Sequence, residues 1–121
     1  MKNAYLLLTP FDQVSLIETN AESFDLDHLR EEVQCDMIEI VRVQDPTGKI
    51  QGRLLLIIDD EGHFRGKKAN LHASRLYGTY YAGIVGTALV CKEGIVNGEP
   101  DCIPLTREEA ANLLQVMEGE S

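Results

Sequence analysis

Residues 53–78, RLLLIIDDEGHFRGKKANLHASRLYG, decide how this chain folds. Leu54, Leu55, Leu56, Ile57 and Ile58 follow one another without polar alternation, and a strand of that pattern is covered on both faces. Each fully buried Leu or Ile side chain contributes roughly 1.5 to 3 kcal/mol, so this strand is expected to be the largest single source of core stability. Asp59, Asp60, Glu61 and Gly62 then end the strand, and Gly66 punctuates the loop that follows. A short helix is predicted over residues 69–77, with Gly78 placed to stop it. On that helix Ala69, Ala73, Leu76 and Tyr77 share one face, and Lys68, His72 and Arg75 share another. If Asn70 caps the helix instead, His72 and Arg75 still lie together.

Upstream, residues 37–43 (MIEIVRV) alternate and are β-branched, and Asp45-Pro46-Thr47-Gly48 forms a turn that lets residues 53–58 pair back on them. Nearer the start, residues 4–9 and 14–19 read as a β-hairpin around Pro10 and Phe11. Leu26, Leu29 and Val33 recur at helical spacing behind Asp25 and Asp27, which predicts a helix over residues 25–34. Downstream, residues 79–84 have no clear pattern, and Gly83 and Gly86 suggest a bulge or a close backbone approach. Residues 87–92 form a predicted strand, Asn97-Gly98 a tight turn, and Cys102 and Ile103 a short returning strand. A C-terminal helix opens with a capping box of Thr106 and Glu109, and Ala110, Leu113, Leu114 and Met117 repeat along one side of it. The expected architecture is α+β: one domain over residues 1–121, with a mainly antiparallel sheet and three helices.

Composition sets the outer limits. Apolar content of 44% with 26% charged residues belongs to a chain that folds, far from the disordered regime. No apolar run approaches the roughly 18 residues that cross a bilayer, and residues 1–10 lack a secretory pattern, so the expected setting is cytoplasmic without membrane contact. Cys35, Cys91 and Cys102 are odd in number and widely spaced, which fits free thiols better than disulfides or zinc ligands. A net charge of −9 opposes direct binding of duplex nucleic acid. The charge is unevenly placed. Residues 1–39 carry nine acids against Lys2 and Arg30, residues 76–121 carry seven against Lys92 and Arg107, and only residues 42–75 are basic, seven bases against four acids.

Catalytic and metal patterns do not stand up against simpler readings. Adjacent acids before Gly62 are what a surface turn needs, and they lack the spacing of a calcium loop. His28, His63 and His72 have no second ligand at i+2 to i+4, and neither Cys91 nor Cys102 has a base beside it. Gly62 and Gly66 complete no nucleotide-phosphate motif. No catalytic residue, metal ligand or cofactor is therefore expected. What is left is a basic cluster, Arg65, Lys67, Lys68 and Arg75, with Asn70, His72 and Tyr77 among them. Cations beside a helix N-terminus are one way to hold phosphate or another anion. The plainer and favoured reading is a solvated loop whose charges balance an acidic domain or pair with the acids at 59–61.

The same residues resemble the domain of unknown function 3846 family, small proteins of phages and mobile elements. An apolar strand at residues 54–58, an acid-acid-Gly turn at 60–62, Gly66 to Asn70, the helix motif from Ala73 to Tyr77 and the Ile-Val-Gly-x-Ala-Leu run at 84–89 carry the likeness, over roughly residues 37–106. Lys67 and Lys68 depart from the small or Pro residues the pattern favours, and TYYAG at 79–83 replaces a shorter acidic link. The resemblance implies a setting more than an activity. The leading expectation is a non-enzymatic accessory protein that binds stoichiometrically. Its ligand would be an anionic, nucleotide-like molecule: Arg65, Lys67, Lys68 and Arg75 would hold the anion, Asn70 would orient it, and Tyr77 would stack. The alternative is an acidic inhibitor of a host protein acting by nucleic-acid charge mimicry. A small enzyme using His63, His72 or Asp60 is the third and weakest reading.

Overall fold

The computed structural model describes residues 2–11, 13–78 and 83–119. In chain order they form β1 (Asn3–Leu8), β2 (Val14–Thr19), α1 (Leu26–Val33), β3 (Ile38–Val43), β4 (Arg53–Asp59), α2 (Leu71–Tyr77), β5 (Ala88–Val96), β6 (Glu99–Ile103), β7 (Leu105–Thr106) and α3 (Arg107–Glu118). The strands make one antiparallel sheet of order β2-β1-β5-β4-β3, with β6 joined to β5 and β7 to β1. Both ends of the chain thus contribute to one sheet, in the α+β arrangement that the sequence predicts.

β4 lies inside that sheet with neighbours on both edges. Val43 pairs with Leu54 on one side and Leu56 with Val90 on the other. Its side chains divide between two cores, as an apolar run without alternation requires. Leu54, Leu56 and Ile58 pack with Ala73 of α2 and with Ala110, Leu113 and Met117 of α3. Leu55 and Ile57 face the opposite way, toward Leu29 and Val33 of α1. The sheet is therefore a middle layer, with α1 on one face and α2 and α3 on the other.

Local chemistry fixes the helix ends. The Asp25 carboxylate accepts from His28 N at 2.7 Å to start α1, and Gln34 closes it in the left-handed region at φ 61°. Thr106 and Glu109 form the reciprocal capping box at the start of α3. Glu109 also accepts from Lys92 Nζ at 2.7 Å and from Gln51 N at 2.8 Å. Burial pulls its carboxyl upward, but these bonds outweigh burial and hold it below the usual carboxylate range.

Two elements run beyond their predicted bounds. β5 extends to Val96 rather than stopping at Lys92, because the returning chain pairs with it as far as Val96 and Glu99. Pro100 sits within β6 opposite Ile95, a position whose outer edge has no partner strand among the described residues, so its missing N–H breaks no ladder there. The link at residues 79–82 lies outside the described residues. No described helix is long and apolar enough to cross a membrane.

Candidate functional site

Of the seven residues of the predicted site, Arg65, Lys67, Lys68, Asn70, His72, Arg75 and Tyr77, the half-buried His72 stands apart and the other six fall into three surroundings. Lys67 and Asn70 point into the fold, Arg65 and Lys68 point outward at one end of the sheet, and Arg75 and Tyr77 line a cavity at the far end of α2.

Asn70 is fully buried. Its Nδ2 donates to the carbonyls of Leu8 and Gly86, each at 2.8 Å, and its Oδ1 accepts from Ala73 N at 3.0 Å as the cap of α2. Its backbone N–H donates to Ile84 O at 2.8 Å, and its carbonyl accepts from Ser74 N at 3.0 Å. One side chain thus joins β1, the strand entry at Gly86 and a helix start, which leaves it no group to orient a ligand. Sequence marks Asn70 as a cap candidate, but the partners at Leu8 and Gly86 are visible only in three dimensions.

Lys67 is held in the same way. Its Nζ lies 2.5 Å from Asp59 Oδ2 and donates to Gln34 O at 2.9 Å. Asp59 is not a surface turn residue: it is the last residue of β4 and its side chain is fully buried. Its other oxygen accepts from Glu61 N at 2.8 Å. Burial raises the Asp59 carboxyl, but the Lys67 bond, the Glu61 N–H and the charges of Lys67 and Arg65 outweigh it and keep it ionised below the ordinary range. Gly86 makes room for this ammonium. Its φ is +79°, and a Cβ there would lie 2.8 Å from Lys67 Cδ.

The outward residues gather with exposed aromatic rings. Phe64 is 90% exposed in the turn after β4, beside Arg65, whose guanidinium reaches Asp36 at 3.3 Å. Phe11, 68% exposed in the β1–β2 turn, carries Lys68 Nζ 4.8 Å above its ring, a cation–π contact at a wet site. Leu71 and Met37 are also exposed large apolar residues. Because β1 and β4 finish at the same end of the sheet, these residues belong to one end surface. Phe11 and Phe64 are absent from the predicted site. An aromatic residue set between polar neighbours in a turn, as in His63-Phe64-Arg65, is the signal that could have found one of them.

Two cavities flank the C-terminal end of α2. The larger, about 420 Å³, has Val43, Gln44, Asp45, Arg75, Tyr77 and Met117 among its lining residues. The smaller, about 260 Å³, is lined in part by Glu39, Asp60, His63 and Tyr77. Neither is lined by Arg65, Lys67, Lys68, Asn70 or His72. His63 Nε2 donates to Gly83 O at 3.0 Å, and the half-buried His72 keeps its Nδ1 without a hydrogen-bond partner among the described residues. No group of three or more His, Cys, Asp and Glu side chains placed to hold a metal occurs among the described residues. The cysteines are free thiols, and Cys91 and Cys102 are buried.

The family model for a domain of unknown function, DUF3846, matches residues 1–118. No curated protein matches the sequence. Among solved structures, the fold is similar to part of the crystal structure of the small RNA methyltransferase HEN1, at 18% identity and a TM-score of 0.62. The match covers 94% of this chain and 16% of that one, a likeness of fold.

Proposed function

The chain belongs to the domain of unknown function 3846 family, and we propose that it acts by stoichiometric binding of a protein partner, with the end surface around Phe64 as its binding face. The setting we infer is the cytoplasm of a cell carrying a phage or mobile element, where Cys35, Cys91 and Cys102 stay reduced. The observation that carries this reading is Phe64, 90% exposed in the turn after β4 with Arg65 next to it in sequence. Burying a phenylalanine contributes roughly 1.5 to 3 kcal/mol, which makes such a ring an effective anchor when a partner supplies a pocket. Arg65 beside it would favour acidic groups around that pocket and set orientation more than affinity.

An anion held by the whole basic segment fits the geometry less well. Lys67 and Asn70 are committed to the fold, and the cations that face solvent at the sheet end flank aromatic rings rather than a cavity. The test is capture from host lysate with the purified protein as bait, wild type beside Phe64→Ser. The expected result is a partner retained in near-equal amount by the wild type and lost by the variant. Identical captured proteins from the two baits would reject this face.

A second reading rests on α1, where Asp25, Asp27 and Glu31 are exposed along one helix beside Glu22. That acidic row could oppose a basic, nucleic-acid-binding protein by charge mimicry. It predicts capture that survives Phe64→Ser, is lost with Asp27→Lys plus Glu31→Lys, and weakens steeply with salt.

A further inference from the structure

We propose that the face of the sheet bearing α1 pairs with the same face of a second copy of this chain, each α1 lying over the strip of sheet that the other copy leaves uncovered. α1 is a single eight-residue helix on a sheet with five strands side by side, and it covers only part of that face. Leu55, Ile57, Leu89 and Cys91 share one core with Leu29 and Val33 of the helix. Side chains two apart on a strand share a face, so Ile40 and Arg42 of β3, Arg53 of β4 and Ile95 of β5 stand on this same side. All four are exposed, Ile95 at 69%. α2 and α3 pack on the opposite face, away from this strip. Leu26 adds to the strip from the helix. It falls on the stripe of Leu29 and Val33, at i, i+3 and i+7, yet stays 48% exposed while those two are buried.

Charge and symmetry select the occupant. Among the described residues the Arg53 guanidinium has no ion pair or hydrogen bond, whereas Arg42 is engaged with Glu93 at 3.1 Å. On α1, Asp25 caps the helix and Asp27 faces Arg30 at 3.5 Å, which leaves Glu31 as the exposed carboxylate with no partner among the described residues. An unpaired cation and an unpaired anion thus stand on one face of one molecule, with apolar side chains beside them. A two-fold axis lying between two such faces, along the border of helix and strip, sets α1 of each copy over the strip of the other. Each contact then occurs twice, and the pairing closes as a dimer. Arg53 of one copy meets Glu31 of the second copy, and Leu26, Ile40 and Ile95 lose their exposed surface around that pair. Burial of the apolar side chains supplies the attraction, and the two ion pairs set the orientation. A partner of another sequence would need an acidic helix with an apolar residue at its start, and this chain carries one itself.

The contact leaves the end surface around Phe64 free, and the experiment separates the two. In sedimentation equilibrium of the purified full chain, the weight-average mass should rise with concentration from the 13.5 kDa of one chain toward twice that value. The range to cover is about 10 µM to about 1 mM, where weak specific contacts populate. Arg53→Glu should weaken the dimer roughly tenfold, because the reversal acts at both symmetry-related pairs. Adding Glu31→Lys to that variant should restore it. Ile95→Thr keeps a β-branched residue in the strand and removes apolar surface from both copies, so it should weaken the dimer by a similar factor. Phe64→Ser should leave the dimer unaltered. Arg53, Glu31 and Ile95 are exposed, and amide spectra of the variants report directly whether the fold is kept. A monomer at every concentration, indifference to Arg53→Glu or to Ile95→Thr in a folded variant, no recovery in the double variant, or a dimer dissolved by Phe64→Ser would overturn the inference.

Discussion

The two ends of α2 are seven residues apart and differ in nearly every physical respect. At the N-terminal end, Asn70 is fully buried and both its side-chain amide and its backbone groups are hydrogen-bonded. At the C-terminal end, Tyr77 is 51% exposed and stands between two cavities. The polar residues Lys67 and Asn70 serve the fold because their partners, Asp59, Leu8 and Gly86, would otherwise hold a buried charge or buried carbonyls without compensation. The residues available to a ligand or partner are the ones whose removal leaves no such debt in the interior. A basic, polar stretch is thus divided between structure and surface by what lies opposite each side chain.

The sharpest way to break this contrast is Asn70→Ala. It removes a helix cap and leaves the carbonyls of Leu8 and Gly86 without their donor, for an expected loss of about 4 kcal/mol in urea unfolding. Asn70→Asp separates the two duties, because it keeps the cap acceptor and takes away both donors. If it proves as stable as wild type, the clamp on β1 is not what holds this end. Lys67→Met comes next, at about 3 kcal/mol, because it strands the Asp59 carboxylate inside the protein.

Acid should act on the same pair. The Asp59 carboxyl is depressed in the folded state, so its contribution is present above the unfolded carboxylate range and is lost as pH falls through the folded value. Glu109 and Asp45 follow the same sign. Urea midpoints should therefore drop on acidification below about pH 5, and Lys67→Met should flatten part of that decline. An unchanged acid slope in Lys67→Met would place the dependence elsewhere. Gly86→Ala should cost about 1 to 2 kcal/mol, since it forces alanine to a positive φ and crowds the Lys67 chain. At the other extreme, Tyr77→Ala and Phe64→Ser should each shift stability by no more than about 0.5 kcal/mol, as surface changes do. A larger loss from Tyr77→Ala would make that ring part of the core instead of a cavity wall.

Most of the fold was legible because its signals are local. The unbroken apolar run of β4, the capping box at Thr106 and Glu109, and the turn at Asn97-Gly98 each declare themselves within a few residues. The site was legible as a composition and as a pairing of loop cations with the acids at 59–61, but not as which residue meets which. That Lys67 would meet Asp59 depends on Gly66 at φ +66° reversing the chain, and that Asn70 would meet Leu8 depends on α2 crossing the end of β1, 62 residues away in sequence. Spacing along the chain does not single out Lys67 and Asp59 from the other loop cations and turn acids, and it carries nothing of the Asn70 contact. Asp59 shows the limit most plainly: beside Asp60 and Glu61 it reads as one more acid in a turn, yet its side chain is fully buried and the other two begin the turn.

The position of β5 bears on how the molecule is made. β1 with β2, and β3 with β4, are hairpins of neighbouring segments that can form early, each from one local stretch. β5 inserts between them and supplies the pairing that makes the two hairpins one sheet, joining Leu6 to Val90 across most of the chain's length. Contacts of such sequence separation form slowly, because the loop entropy must be lost before the pairing compensates for it. On the ribosome, β1 and β4 would each present an apolar edge until residues 88–96 emerge. Completion of the sheet is thus expected to be the slow step of folding, set by the sequence separation of its central pairing.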